Sequence, residues 1–140
     1  MLNLDTSTSF GAHVRDRLQK DLIGWLTTVD ADGTPEPSPI WFLWDGTEFL
    51  IYSQSGKAKL RNIGRNPRVS LNLDGNGKGG DIVILTGVAR IAAEEPPANS
   101  NPDYVAKYHA DIVRLGTTDE GFAQAYSVAI RFTPDHLRGH

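Results

Sequence analysis

The spacing of apolar residues predicts one amphipathic helix near the start of the chain, followed by a series of short strands. Phe10, Val14 and Leu18 recur every four residues, which predicts a helix over residues 9–20 with one buried face. Beyond it, apolar residues alternate with polar ones or form short runs, and turn signals such as Asp45-Gly46 separate the runs. About six strands are predicted, over residues 23–29, 35–44, 48–53, 69–73, 81–93 and 126–132.

Further helices are predicted over residues 56–64, 103–115 and 118–124. Pro35, Pro37 and Pro39 alternate in the second strand, and proline has no N–H for a ladder, so this part is expected to be irregular or at a sheet edge. The order of elements predicts a mainly β, α+β fold. We expect one domain over residues 1–140, built as an antiparallel barrel rather than a doubly wound parallel sheet.

The strand predicted over residues 81–93 is apolar on both faces. One face carries Ile82, Ile84 and Val88, and the other carries Val83, Leu85, Ala89 and Ile91. A strand that is dry on both sides fills a barrel or meets a second subunit. Within it, Gly87 marks either a bulge or a close approach of backbone to ligand or neighbour.

Composition excludes several classes of protein. The 140 residues include no cysteine, which excludes disulfides and cysteine zinc sites, and the four histidines lack metal-ligand spacing, so no metal site is expected. No apolar run reaches the roughly 20 residues of a membrane span. The first ten residues lack the pattern of a signal peptide, so we expect a cytoplasmic protein.

Charge is concentrated in one segment. The chain has a net charge of −3, yet residues 53–73 contain no acid. The cations of this segment are Lys57, Lys59, Arg61, Arg65 and Arg68. Such a short island suits an anion such as phosphate better than a nucleic acid, although a solvated helix face whose cations have partners elsewhere in the fold is an equal alternative. Neither a Walker loop nor a dinucleotide-binding glycine motif is present.

Two stretches carry a resemblance to a known family. They are IGWLTTVDADGTPEPSPIWFLWDGTEFLIYSQSGKAKLRNIGRNPRVSLNL and GDIVILTGVARI. Over residues 12–93 the chain resembles the pyridoxamine 5′-phosphate oxidase-like flavin and deazaflavin oxidoreductases with a split β-barrel, and within them the branch that uses the deazaflavin coenzyme F-420. The resemblance implies a homodimer with a cofactor groove between the subunits.

The resemblance also implies which residues bind the cofactor. The phosphate clamp would be Ser53, Lys57, Lys59, Arg61 and Asn62. The strand that passes along the cofactor ring would be Ser38, Pro39, Ile40 and Trp41. Trp41 and Trp44 are candidates to wall the substrate pocket, and Tyr104, Tyr108 and His109 are candidate proton donors, although packing is the better explanation for most of these side chains.

The implied function is hydride transfer from F-420 to an unsaturated small molecule. Because the cofactor carries the chemistry, no nucleophile or triad is expected. The alternatives are an FMN-dependent pyridoxamine 5′-phosphate oxidase-like oxidoreductase and a non-catalytic flavin- or deazaflavin-binding protein. The vitamin oxidases end in a Trp-Arg-Leu-His-like segment, whereas Arg131 has no Trp before it, so that particular activity is not expected.

Overall fold

Seven antiparallel strands form one continuous sheet in the computed structural model, which describes residues 2–140. The strands are β1 Gly24–Val29, β2 Pro35–Ile40, β3 Leu43–Trp44, β4 Phe49–Ser53, β5 Arg68–Leu73, β6 Val83–Ile91 and β7 Val128–Gly139. Their order across the sheet is β2-β1-β5-β6-β7-β4-β3. The sheet curls into the half-barrel of the split-barrel fold, which confirms the predicted fold class, with one strand more than the six expected.

The four predicted helices are all present. They are α1 Ser9–Lys20, α2 Ala58–Arg65, α3 Pro102–Arg114 and α4 Asp119–Ala125, with a 3₁₀ turn at Ala98–Ser100. Polar side chains begin three of them: Thr8 accepts from the N–H of Gly11, Asn101 from two N–H groups of α3, and Thr118 from Gly121. Helix α2 lacks such a cap, since Lys57 makes no capping hydrogen bond.

The predicted strand over residues 35–44 is wrong at its centre. It divides into β2 and β3, and Trp41 and Phe42 belong to neither strand. The reason is that α3 satisfies the backbone of Phe42: its N–H donates to the Tyr108 hydroxyl over 2.9 Å and its C=O accepts from Lys107 Nζ over 2.8 Å. The edge position expected from the three prolines is nevertheless confirmed, because β2 ends the sheet and pairs with β1 only.

The last strand is also longer than predicted, because β7 runs past Phe132 to Gly139 and pairs with all of β6. Pro134 is accommodated at a register shift between Thr86 and Gly87. A Cβ on Gly87 would lie 2.2 Å from the carbonyl oxygen of Thr133, so only glycine fits there. The glycine therefore marks a β-bulge and a close approach of two strands.

The core has two parts. Inside the curled sheet, Phe42, Phe49 and Phe132 are fully buried, and Phe49 meets Phe42 edge-to-face and stacks with Phe132. Val14 and Leu18 of α1 are buried in the same cluster, as predicted. The second part lies between the sheet and α3–α4. Its residues are Leu50, Tyr52, Ala92, Ala98, Tyr104, Tyr108, Ile112, Phe122, Ala123 and Ala129. This second cluster positions the helical residues that face the site.

Strand β6 is buried on one face only within the single chain. Val83, Leu85 and Ala89 of one face are buried, whereas Val88 of the other face is 41% exposed; Ile91, at the end of the strand, is 40% exposed. The expectation of a strand dry on both sides therefore does not hold for one chain alone. Its outward apolar residues are left on the surface.

Two kinds of feature are missing from residues 2–140. None of the helices there combines the length and apolar character needed to cross a membrane. The same residues contain no group of three or more His, Cys, Asp or Glu side chains arranged to hold a metal ion.

Candidate functional site

A cavity of about 380 Å³ lies where the ends of β2 and β4, the start of α2 and the helices α3–α4 meet. Its lining residues are Ile23, Pro39, Ile40, Trp41, Tyr52, Ser53, Gln54, Lys57, Lys59, Leu115, Phe122 and Tyr126. Strand β2 ends the sheet on one side and β4 lies next to its other end, so it is the curl of the sheet that brings them to one cavity. Six of the nine predicted cofactor-binding residues are in this lining.

The cationic side of the cavity is formed where β4 turns into α2. Ser53 ends β4 and is 3% exposed, and Gly56 makes the turn with a φ of 75°. Lys57 precedes the helix and Lys59 lies in its first turn. No acidic residue occurs in that turn, and among residues 2–140 no carboxylate forms an ion pair with either lysine.

This arrangement favours an anion. Burial lowers the pKa of Lys59, and the neighbouring positive charge of Lys57 lowers it further. The first N–H groups of a helix lack intrahelical acceptors and carry the positive end of its dipole. Both lysines and the start of α2 thus lie on the same side of the cavity, where a phosphate would relieve the repulsion between the two ammonium groups.

The other cations of the basic segment bond within the protein. Arg61 donates to the carbonyl oxygen of Gly56 over 3.0 Å, and Arg65 donates to Asn62 over 3.2 Å. Arg68 pairs with Asp135 over 2.6 Å. Arg68 therefore fits the alternative in which the cations of the basic segment pair with acids elsewhere in the fold. The hypothesis of a bound anion applies to Lys57 and Lys59, which line the cavity.

Asn62 and Ser38, both predicted to bind the cofactor, lie outside the cavity lining. Asn62 is 2% exposed, and its amide donates to Thr28 Oγ1 over 3.0 Å and to Glu36 Oε1 over 2.8 Å. It thereby ties α2 to β1 and β2. The hydroxyl of Ser38 is buried on β2 with no hydrogen-bond partner among residues 2–140, which leaves it able to accept or donate one bond.

Aromatic side chains form the opposite wall. The indole ring of Trp41 stacks with Tyr108 at 4.6 Å between centroids and with Phe122 at 5.3 Å, and Phe122 stacks with Tyr126 at 4.5 Å. Trp41 thus lines the cavity and packs on α3 and α4, whereas Trp44 is 8% exposed and packs against Phe49 in the core. The sequence predicted the helix that carries Phe122, but it placed Tyr126, which follows the end of α4, in the last strand, and it did not indicate that either side chain reaches this cavity.

The candidate proton donors all lie outside the cavity lining. Tyr104 is fully buried and its hydroxyl has no partner among residues 2–140. The hydroxyl of Tyr108 is held by backbone groups, and burial raises its pKa. His109 contacts Asp119 over 2.9 Å on the surface. Tyr52, which does line the cavity, donates to the carbonyl oxygen of Pro96 over 2.7 Å, and burial raises its pKa to about 12.

Arg131 also lies outside the cavity lining and is bonded to acids. It forms an ion pair with Glu95 and another with Asp45, the latter at 3.0 Å. The side chains of Arg131 and Glu95 are 18% and 11% exposed. These contacts fasten the loop after β6 and the β3–β4 turn to β7, which is a structural role.

Replacing Asn62 with Ala should lower the free energy of unfolding by about 2 kcal/mol, because the buried Thr28 hydroxyl loses its partner and the side chain leaves a gap. Chemical denaturation followed by circular dichroism would measure it. Asn66→Ala is the control, since its side chain accepts one bond from the Arg68 N–H at the surface. Equal stability of the two variants would contradict the anchoring role of Asn62.

Comparison with known proteins places the chain in a family. The family model described as pyridoxamine 5′-phosphate oxidase matches residues 10–140. Among solved structures, the chain is similar to the conserved hypothetical protein Rv2991 from Mycobacterium tuberculosis, with a TM-score of 0.70 and 26% identity over 91% of this chain and 81% of that one.

Two other solved structures have the same fold at lower identity. An F-420 reductase matches with a TM-score of 0.65 and 24% identity over 89% of this chain and 94% of that one. HutZ, the heme storage protein from Vibrio cholerae, matches with a TM-score of 0.64 and 18% identity over 99% and 95%. The family model spans nearly the whole chain, and the curled seven-stranded sheet agrees with it. The chain therefore belongs to the pyridoxamine 5′-phosphate oxidase-like split-barrel family.

Proposed function

We propose that the protein is an oxidoreductase that binds coenzyme F-420 in the cavity and transfers hydride to an unsaturated small molecule. The observation that supports this most directly is the cavity itself, which is lined by two lysines that have no ion-pair partner among residues 2–140 and by stacked aromatic rings. A phosphorylated cofactor with a flat ring matches both parts of the cavity, because its phosphate suits the lysines and its ring suits the aromatic wall. The sequence resemblance to the F-420 branch and the likeness to an F-420 reductase favour that cofactor.

Each part of the site has a role in this proposal. Lys57 and Lys59, with the first amides of α2, would hold the phosphate, and Ser53 and Gln54 lie beside them on the cavity lining. Trp41, Phe122 and Tyr126 would exclude water from one side of the ring. A deazaflavin supplies a hydride from a ring carbon when it is bound.

Proton delivery would come from solvent. None of the histidines of residues 2–140 lines the cavity, and the Tyr52 hydroxyl has a pKa of about 12 and already donates to Pro96. A general acid with so high a pKa is poorly matched to neutral pH. The protein's own contribution is thus binding and orientation of two reactants rather than acid–base chemistry.

FMN is the second candidate, and one observation favours it. Only two of the five cations in the basic segment line the cavity, which is a charge that a single phosphate balances. F-420 carries a phosphodiester and a glutamate tail and is therefore more anionic than FMN, and one chain places no further cation of this segment at the cavity to balance that charge. The charge of the site thus leaves FMN open, and the support for F-420 comes from resemblance.

Binding without turnover is a third candidate. The likeness to HutZ, described as a heme storage protein, includes 99% of this chain, so the same fold accommodates binding proteins. No side chain of residues 2–140 that lines the cavity is a histidine or cysteine, the most frequent protein ligands of heme iron. This favours a flavin-type ligand over heme for this cavity.

A homodimer is part of the proposal. A cavity of about 380 Å³ is at the small end of ligand pockets and lies open at the surface. Val88 is exposed on the outer face of β6 and Ile91 is exposed at the end of the strand, and a second copy would bury these apolar side chains. Size-exclusion chromatography with light scattering should give about twice the 15.3 kDa of one chain; a monomer would contradict the shared groove.

The proposed function is tested by titrating the purified protein with F-420 and with FMN while following the fluorescence of each. We expect submicromolar binding of F-420, and reduction of quinones or enones in the presence of reduced F-420. Tight binding of FMN with no binding of F-420 would replace the first candidate with the second. F-420 binding without reduction of any acceptor would favour the binding protein.

A further inference from the structure

The backbone of Phe42 is held from outside the sheet. Phe42 lies between β2 and β3, where the strand ladder is interrupted, and its side chain is fully buried. Its N–H donates to Tyr108 Oη over 2.9 Å, and its C=O accepts from Lys107 Nζ over 2.8 Å. Two consecutive residues of α3 therefore satisfy the N–H and the C=O of one residue that has no strand partner.

The hydroxyl of Tyr108 also contacts two backbone carbonyl oxygens. It lies 2.7 Å from the carbonyl oxygen of Leu22 and 3.0 Å from that of Phe42, but it has one hydrogen to donate. Because Lys107 supplies a donor to Phe42, the Tyr108 hydrogen is free for the shorter contact with Leu22. Leu22 precedes Ile23, which lines the cavity. The two α3 side chains thus fix the backbone on two sides of the cavity.

The same clamp supports the ring of Trp41. The Tyr108 ring lies parallel to the indole of Trp41, with 4.6 Å between centroids and 5° between planes. Lys107 Nζ lies 3.9 Å from the centre of the Phe42 ring, where a cation is attracted to the aromatic face. Among residues 2–140 no carboxylate forms an ion pair with Lys107, so its strongest contacts are with the segment that carries Trp41.

We propose that Lys107 and Tyr108 are positioning residues, which act through Phe42 to hold Trp41 at the wall of the cavity. They lie outside the cavity lining, so their effect on a ligand is indirect. The proposal rests on the proposed function only where a cofactor is used as the probe. The position of Trp41 in the ligand-free protein is a separate measurement.

The first test uses the ligand-free protein labelled with 5-fluorotryptophan. Its three tryptophans give three fluorine NMR signals, which Trp→Phe variants assign. In Tyr108→Phe and in Lys107→Met we expect the Trp41 signal to shift or broaden. Trp25 is the internal reference, because its indole N–H bonds to Asp74 away from α3. An unchanged Trp41 signal in both variants would overturn the proposal. If Tyr108→Phe does not fold, the result for Lys107→Met is sufficient for the test.

The second test separates positioning from general damage. FMN should bind each variant about tenfold more weakly, the equivalent of one hydrogen bond, while inorganic phosphate shifts the NMR signals of the α2 amides as in wild type. Lys20→Met, which removes an exposed ion pair with Asp16, is the control and should bind FMN normally. Equal loss of FMN and phosphate binding would show structural damage and overturn the positioning role. Failure of wild type to bind FMN or F-420 would instead contradict the proposed function.

Discussion

The double variant Lys57→Ala/Lys59→Ala should bind its cofactor about 100-fold more weakly than wild type, the loss expected from two charge-assisted hydrogen bonds. The physical reason is that these are the two cations in the cavity lining, and neither has an ion-pair partner among residues 2–140. Fluorescence titration with F-420 and with FMN, at constant ionic strength, would measure the effect.

The stability of the fold should not decrease in this double variant. Burial and the charge of Lys57 lower the pKa of Lys59, which means that folding disfavours its charged form. Removal of both lysines should therefore leave the free energy of unfolding unchanged or slightly higher. Lys20→Ala/Lys78→Ala removes the same charge outside the cavity and should bind the cofactor as wild type does. If the two double variants bind equally well, the phosphate is held elsewhere.

Arg131→Met should lower the free energy of unfolding by about 3 kcal/mol, because it leaves the carboxylate of Glu95 in a mostly buried position without its partner. That carboxylate is 11% exposed, and Asp45 loses its ion pair as well. Denaturant unfolding would measure the change, and the double variant Arg131→Met/Glu95→Gln should recover a large part of it, since no unpaired charge remains on Glu95.

A neighbouring arginine provides the control for this prediction. Arg90 lies opposite Arg131 across the β6–β7 pair and binds Glu94, but both side chains of this ion pair are more than half exposed. Arg90→Met should cost less than about 1 kcal/mol, as expected for a surface ion pair. Similar losses for Arg90→Met and Arg131→Met would mean that burial around Glu95 does not control the stability of this region.

Local sequence patterns predicted the elements whose causes are themselves local. Helix α1 was predicted over residues 9–20 from the stripe of Phe10, Val14 and Leu18, and in the structure the adjacent Thr8 caps its start. The division of residues 35–44 was not predictable in this way. The run Ile40 to Trp44 has high β propensity, but the backbone of Phe42 bonds to residues 65 and 66 positions later in the chain.

The same distinction between local and long-range causes applies to the candidate site. Its cationic side is contiguous in sequence, so the basic segment indicated Lys57 and Lys59 as anion ligands and the family resemblance added Ser53. Its aromatic wall also includes Phe122 and Tyr126, which reach the cavity because α3 and α4 pack on the sheet. For Asn62, nearness in sequence to the lysines was misleading, because its amide bonds to β1 and β2 and not to the cavity.

The three prolines of β2 have a consequence beyond the single molecule. They pair with β1 at alternate positions, and because proline has no N–H, the donors toward β1 must come from the residues between them. The outer margin of the sheet then offers carbonyl oxygens without matching hydrogens. A strand from a neighbouring molecule that docked there would form half a ladder at most, so this margin resists the edge-to-edge polymerisation that leads to amyloid-like fibres.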